Sequence, residues 1–124
     1  MKNNTKSIGK QGEAFVLEYL KSKNYIIIEQ NWSCRVGEID IIAKDKDEFV
    51  FVEVRTKRKN SPISPIDTIS YSKQMRIYNA IEQYLYDNNL NVFARCDVLG
   101  VVYTLRNGEP VFEISDHLVN VELG

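Results

Sequence analysis

Apolar positions fall in helical spacing in two stretches of the chain. Between Ser7 and Lys23 the pairs Phe15/Tyr19 and Val16/Leu20 stand one helical turn apart, so this segment predicts an amphipathic helix. Tyr25-Ile26-Ile27-Ile28 is a β-branched run too short for a helix, and with Gln30 to Cys34 it predicts a strand. From Gly37 the period becomes two. In Glu38-Ile39-Asp40-Ile41-Ile42-Ala43 the odd positions are apolar and are expected on one face. The charged, turn-like block Lys44 to Glu48 leads into Phe49-Val50-Phe51-Val52-Glu53-Val54-Arg55, and the two strands read as a hairpin. Ser61-Pro62 and Ser64-Pro65 interrupt the chain, because a residue before proline is pushed out of the helical region. The second helix starts at Ser70 or Ser72 and runs to Asp87, with Ile77, Ile81, Tyr84 and Leu85 as its buried stripe and Asn88-Asn89 ending it. Val92 to Tyr103 predicts a strand, Asn107-Gly108 a turn, and Val111 to Ile114 a last short strand. The order α-β-β-β-α-β-β predicts an α/β domain, a mixed central sheet flanked by two main helices.

A chain of 124 residues, 44% hydrophobic, suits a single domain over residues 1–124 with one core. No apolar run approaches the ~18 residues of a membrane span. Met1 to Lys10 is polar and basic with no apolar stretch behind it, so no signal peptide is expected. Cys34 and Cys96, far apart, are expected as reduced core thiols of a cytoplasmic protein. His117 is the one histidine, which leaves neither a His/Cys zinc site nor a Ser-His-Asp triad its parts; it is expected as an exposed or capping residue. Trp32 and the tyrosines are expected in packing, with Tyr71 and Tyr78 as candidates for base stacking.

The net charge of −1 excludes recognition by a globally basic protein, yet its layout is uneven. Arg55-Thr56-Lys57-Arg58-Lys59 places four cations in five residues, and Lys73 and Arg76 follow. Asp67 is the one acid between Arg55 and Tyr78. Such a stripe suits a polyanion, although a solvated loop has the same composition. On the second helix, Lys73 and Gln74 lie near the start, where a phosphate can be met, and Tyr78 stands one turn beyond Gln74. The candidate nucleic-acid contacts are therefore Arg55, Lys57, Arg58, Lys59, Lys73, Gln74, Arg76 and Tyr78.

The carboxylates add chemistry to that stripe. If the hairpin turns on Lys46-Asp47, Asp40 lies opposite Glu53, whereas a slip of one residue would put them on opposite faces. Opposed side chains have Cβ atoms about 5 Å apart, so the pair repels unless a lysine, an arginine or a divalent cation sits with it. Glu53, Arg55 and Lys57 alternate along one face, opposite Val50, Val52 and Val54. Two carboxylates with a cation beside them are the equipment of metal-dependent phosphodiester cleavage; the competing reading is a charged surface hairpin. Glu13 shares the core-facing stripe with Val16, Leu17 and Leu20, so it must be paired, neutral or aimed into a site, with Gly9 and Gly12 on the preceding turn. A first-turn glutamate favoured by the helix dipole is the simpler account of it. Asp97 with Arg95 reads as a structural ion pair beside the site.

Taken together, Gly12-Glu13, Gly37-Glu38-Ile39-Asp40, Phe51-Val52-Glu53-Val54-Arg55, Lys73-Gln74 and Arg95-Cys96-Asp97-Val98 resemble the YraN-like family. These are small, largely uncharacterised bacterial proteins that carry an endonuclease label, and the resemblance runs from about Gly9 to Val102. The family in turn is similar to the PD-(D/E)XK nuclease superfamily, and within it to archaeal Holliday-junction resolvases. That resemblance implies a restriction-endonuclease-like core, with Mg²⁺ or Mn²⁺ held by Asp40 and Glu53 and its shell completed by Glu13. It implies catalytic roles for Asp40, Glu53, Arg55 and Lys57, and likens Gln74 and Tyr78 to the Gln-x-x-x-Tyr element of related nucleases. Arg55 departs from the superfamily pattern, which has lysine there; arginine stays charged and cannot shuttle a proton, while Lys57 lies one pleat further along the same face. The expected function is a metal-dependent endonuclease hydrolysing phosphodiester bonds in DNA, branched or structured DNA included. The alternative is a non-cleaving nucleic-acid-binding module on a degenerate nuclease scaffold. No membrane partner is expected, and a homodimer is left open.

Overall fold

Two helices pack on opposite faces of one five-stranded sheet in the computed structural model, which describes residues 5–122, with side chains from residue 7. The elements are α1 (Thr5–Ser22), β1 (Ile26–Cys34), β2 (Gly37–Asp45), β3 (Glu48–Arg58), a 3₁₀ turn (Ile66–Thr68), α2 (Tyr71–Asp87), β4 (Ala94–Arg106) and β5 (Glu109–Leu118). This is the expected order, and the sheet is mixed as expected. Strands lie side by side in chain order, all antiparallel except β3 and β4. That parallel pair needs a crossover, and α2 provides it.

The alternation of β3 divides the core in two. Val50, Val52 and Val54 join Ile41, Ala43, Leu99 and Val101 beneath Val16 and Leu20 of α1. Phe51 joins Ile39, Ile42 and Cys96 beneath Ile77, Ala80, Ile81 and Tyr84 of α2. Trp32 meets Tyr84 edge-on with centroids 5.2 Å apart, the packing role expected of it. The Ser70 side chain caps α2 by accepting the Lys73 N–H at 3.1 Å, and Asn88 closes the helix. Lys46 (φ 59°) turns β2 into β3, and Asn107 (φ 54°) with Gly108 (φ 79°) turns β4 into β5. Both cysteines are free, Cys96 buried and Cys34 partly so. Among the described residues no helix is long and apolar enough to cross a membrane.

The structure corrects the pattern reading in three places. β4 begins at Ala94 and runs to Arg106, and β5 covers Glu109–Leu118, well beyond Val111 to Ile114. Ile39 does not share a face with Ile41 and Ala43 but belongs to the α2 cluster. Thirdly, β5 carries a bulge: Gly100 pairs with Asp116 but Val101 pairs with Ile114, leaving Ser115 extra. Gly100 makes room for it, since a Cβ there would stand 2.9 Å from Ser115 Oγ. The extra residue inverts the alternation and brings His117 to the α1 face, with Phe112 and Ile114.

Candidate functional site

The β2–β3 ladder runs from Asp45 opposite Glu48 to Ile41 opposite Val52 and ends there, one residue short of Asp40 and Glu53, whose side chains meet beyond its last rung. No backbone rung follows. Instead the Val54 N–H donates to Asp40 Oδ2 at 2.8 Å. A side chain replaces a strand carbonyl, the two strands part company, and Ile39 turns to the α2 side. Two glycines bring the helices up to this fork. A side chain at Gly12 would collide with Thr56 near the end of β3, and one at Gly37 would collide with the Arg76 carbonyl of α2.

Glu53 is 3% exposed and faces Asp40. Burial first, then the charge of Asp40 and a hydrogen bond with its carboxylate, push the Glu53 carboxyl up to about 8, against the pull of Lys73 and Arg55. Lys73 Nζ lies 4.0 Å from Glu53 Oε2 and 3.6 Å from Glu38 Oε1. Arg55 Nη1 donates to Glu53 Oε2 at 3.2 Å, while its Nε donates to Thr68 Oγ1 at 2.9 Å and Nη2 to the Thr68 carbonyl at 3.0 Å. The Thr68 hydroxyl donates in turn to the Pro65 carbonyl at 2.6 Å. Arg55 thus ties the connection ahead of α2 to the buried carboxylate.

Glu13, half-buried on α1, is raised above the ordinary carboxyl value by burial and then by Asp40, with Lys10 opposing. It does not complete a cage: among the described residues no three His, Cys, Asp or Glu side chains gather as a donor set for an ion. Of the three expected carboxylates, Asp40 and Glu53 form a touching pair, and Glu13 lies within reach of the Asp40 charge without joining them in a donor set. Lys57 is half-buried and makes no ion pair among the described residues. Arg58 and Arg76 are exposed, and Lys59 pairs with Glu113 at 2.7 Å. Gln74 donates to the Ile69 carbonyl at 3.4 Å beside Ile66, Ile77 and Val98, and exposed Tyr78 lines a separate hollow with Leu85 and Phe93. Neither is bonded to the Asp40–Glu53 pair.

A second charged cluster lies on the other face. Val52 neighbours Asp97 and Glu53 neighbours Val98 across the parallel pair, so the ion pair of Arg95 and Asp97 sits behind the site, and the expectation of its being beside it is corrected. Asp97 is fully buried. Arg95 donates to it at 3.0 Å and also to Glu48 (2.7 Å), Asp45 (3.2 Å) and the Tyr25 hydroxyl (2.8 Å). His117 Nε2 donates to Asp97 Oδ2 at 2.9 Å, and its Nδ1 meets the Tyr19 hydroxyl at 3.2 Å. His117 is only 13% exposed, so it is an interior partner of Asp97 and neither exposed nor a cap. No local signal announces this, because the bond spans two strands and depends on the Ser115 bulge.

The profile of the family described as "Uncharacterised protein family UPF0102" matches residues 12–101. A UPF0102 protein of Clostridium tetani is 40% identical over 110 residues, covering 88% of this chain and 90% of its own length. One from Clostridium botulinum is 39% identical over 104 residues, covering 82% of this chain and 85% of its own. The matched residues include every segment on which the YraN-like resemblance rests, from Gly12-Glu13 to Arg95-Cys96-Asp97-Val98. The chain belongs to the UPF0102 family, the YraN-like family to which its motifs point.

Proposed function

We propose that the protein is a divalent-metal-dependent endonuclease that hydrolyses phosphodiester bonds in DNA, branched or otherwise structured DNA included. The observation that carries this reading is the Asp40–Glu53 pair, with Glu53 buried and pushed up to about 8. Two carboxylates this close share a proton unless a cation takes its place. The donor set fits Mg²⁺ or Mn²⁺, because Mg²⁺ is held by one or two carboxylates with water and substrate oxygens completing its shell. Asp40 and Glu53 would hold the ion, with Glu13 near on the α1 side. The chemistry it supplies when bound is a water of lowered pKa and neutralisation of charge building on the phosphate.

The chain's own residues do the remaining work. Arg55 fixes the Glu53 carboxylate and the Pro65–Thr68 connection. Lys73 keeps an ammonium beside the same oxygen, placed to donate to a phosphate or to an attacking water. Lys57, Arg58 and Arg76 give the nucleic-acid backbone positive ground. A cytoplasmic setting and a homodimeric assembly belong to the same proposal, the latter checked by sedimentation of the DNA-free protein.

Cleavage of linear, forked and four-way DNA in Mg²⁺ or Mn²⁺ tests it, with Glu53→Ala as control. The wild type should cut and the variant should not; equal cutting by both would remove the reading. One observation favours the second reading, a binding module that does not cut: Arg55 stands where a proton-accepting lysine is expected and is spent on Thr68 and Glu53. Salt-sensitive DNA binding without metal-dependent cutting would select that alternative.

A further inference from the structure

Between the start of α1, the end of β3 and the connection that follows it lies a cavity of about 510 Å³. Gly9, Thr56, Lys57, Arg58 and Ser61 line it, and Glu13 stands on its wall. Lys57 is half-buried there with no carboxylate partner among the described residues, whereas Arg55, Lys59 and Lys73 each have one. An ammonium partly withdrawn from water favours an anion close by. Gly9 adds an independent observation. A glycine inside a helix weakens it relative to alanine. Gly12 has a packing reason in Thr56, but a methyl built on Gly9 would meet no atom within 4 Å. The space in front of Gly9 is the cavity.

We infer that this cavity is a phosphate subsite, taking the phosphate next to the one addressed by Asp40 and Glu53. Lys57 and Arg58 supply the positive charge. Thr56 contributes a hydroxyl, and Ser61, whose Oγ accepts the Ile63 N–H at 3.3 Å, keeps its own proton to donate. The bare backbone at Gly9 leaves room for the attached sugar, within a volume in the ~300–1,000 Å³ range of small-molecule pockets. The identity of the bearer rests on the nucleic-acid reading of the neighbouring carboxylates. Its phosphate is either a chain-terminal monoester or an internal diester.

Calorimetric titration of the metal-free protein tests this, first with inorganic phosphate, then with matched short single strands bearing a 5′-phosphate or a 5′-hydroxyl. Saturable phosphate binding is expected, weakened roughly tenfold or more by Lys57→Met and lost in Gly9→Leu. Gly9→Leu should melt no lower than the wild type, since leucine is the better helix former and its side chain enters open space. Preference for the 5′-phosphorylated strand identifies the terminal monoester. Equal binding of both strands, weakened by Lys57→Met, identifies the internal diester. Absence of saturable binding to all three probes, or wild-type affinity in both variants, overturns the subsite. Phosphate binding that persists in wild type and Asp40→Asn, in a protein that cuts no DNA, removes the endonuclease reading and leaves the subsite standing.

Discussion

The Asp40 carboxylate accepts the main-chain N–H of Val54 at 2.8 Å, so an ionisable side chain closes the β2–β3 ladder where a carbonyl ordinarily would. The bond satisfies a buried residue's amide and holds the carboxylate beside Glu53. Asp40→Asn keeps an oxygen acceptor and should melt close to the wild type. Asp40→Ala leaves the amide unpaired and should lose about 1–3 kcal/mol. Both should abolish any rise in melting temperature with Mn²⁺; a wild-type rise in Asp40→Asn would remove Asp40 from the ion's donors.

The Glu53 carboxyl, raised by burial and then by Asp40 from 4.5 to about 8, makes stability depend on pH with a definite sign. Across that window the folded state holds a proton that the unfolded chain has released. Stability is therefore fully present below 4.5 and declines as pH rises through about 8. Urea denaturation across the window should show the decline in the wild type and a flatter profile in Glu53→Gln. Mn²⁺ affinity should run the other way, rising with pH as the proton leaves. Parallel stability profiles for the two proteins would contradict the shared-proton account.

Arg55→Lys keeps a charge near Glu53 but cannot span both Thr68 oxygens. The connection from residue 59 to 70 should become easier to nick in limited proteolysis, with about 1–2 kcal/mol of stability lost. Thr68→Val should reproduce the nicking while leaving Arg55 in place. Unchanged proteolysis in both would show that the strap is not held from Arg55.

Behind the site, Asp97→Ala leaves the Arg95 guanidinium without its buried partner and should cost about 3–5 kcal/mol. His117→Phe removes one hydrogen-bonded partner and should cost less, about 1–3 kcal/mol. DNA affinity of the folded His117→Phe protein should match the wild type, because this cluster faces away from Glu53; a large affinity loss would place His117 in the interface.

The hairpin is legible in the sequence because a two-residue turn sets every rung behind it, so a turn on Lys46-Asp47 gives the rungs from Asp45 opposite Glu48 to Ile41 opposite Val52 and brings Asp40 and Glu53 to the end of the ladder together. Glu13 is legible for a similar reason: its helical phase puts it beside Val16 and Leu20, and it is half-buried. The exchange of faces at Ile39 is not legible, since it follows from a side-chain hydrogen bond that interrupts strict alternation. Nor is the hold of Arg55 on Thr68, which lies in a connection whose Ser-Pro steps carry no period. β5 escapes beyond Ile114 because its phase inverts at Ser115, and His117 escapes with it. Local pattern reaches as far as one hairpin; contacts that cross the sheet order need the fold.

The parallel pairing of β3 with β4 places Val52 on one side with Asp97 and Glu53 on the other with Val98. Adjacent residues of a single strand thereby serve unlike ends, with one thickness of backbone as a bulkhead between them. A change on the α2 side, arginine for lysine or amide for carboxylate, removes no side chain to which Arg95, Asp97 or His117 is bonded.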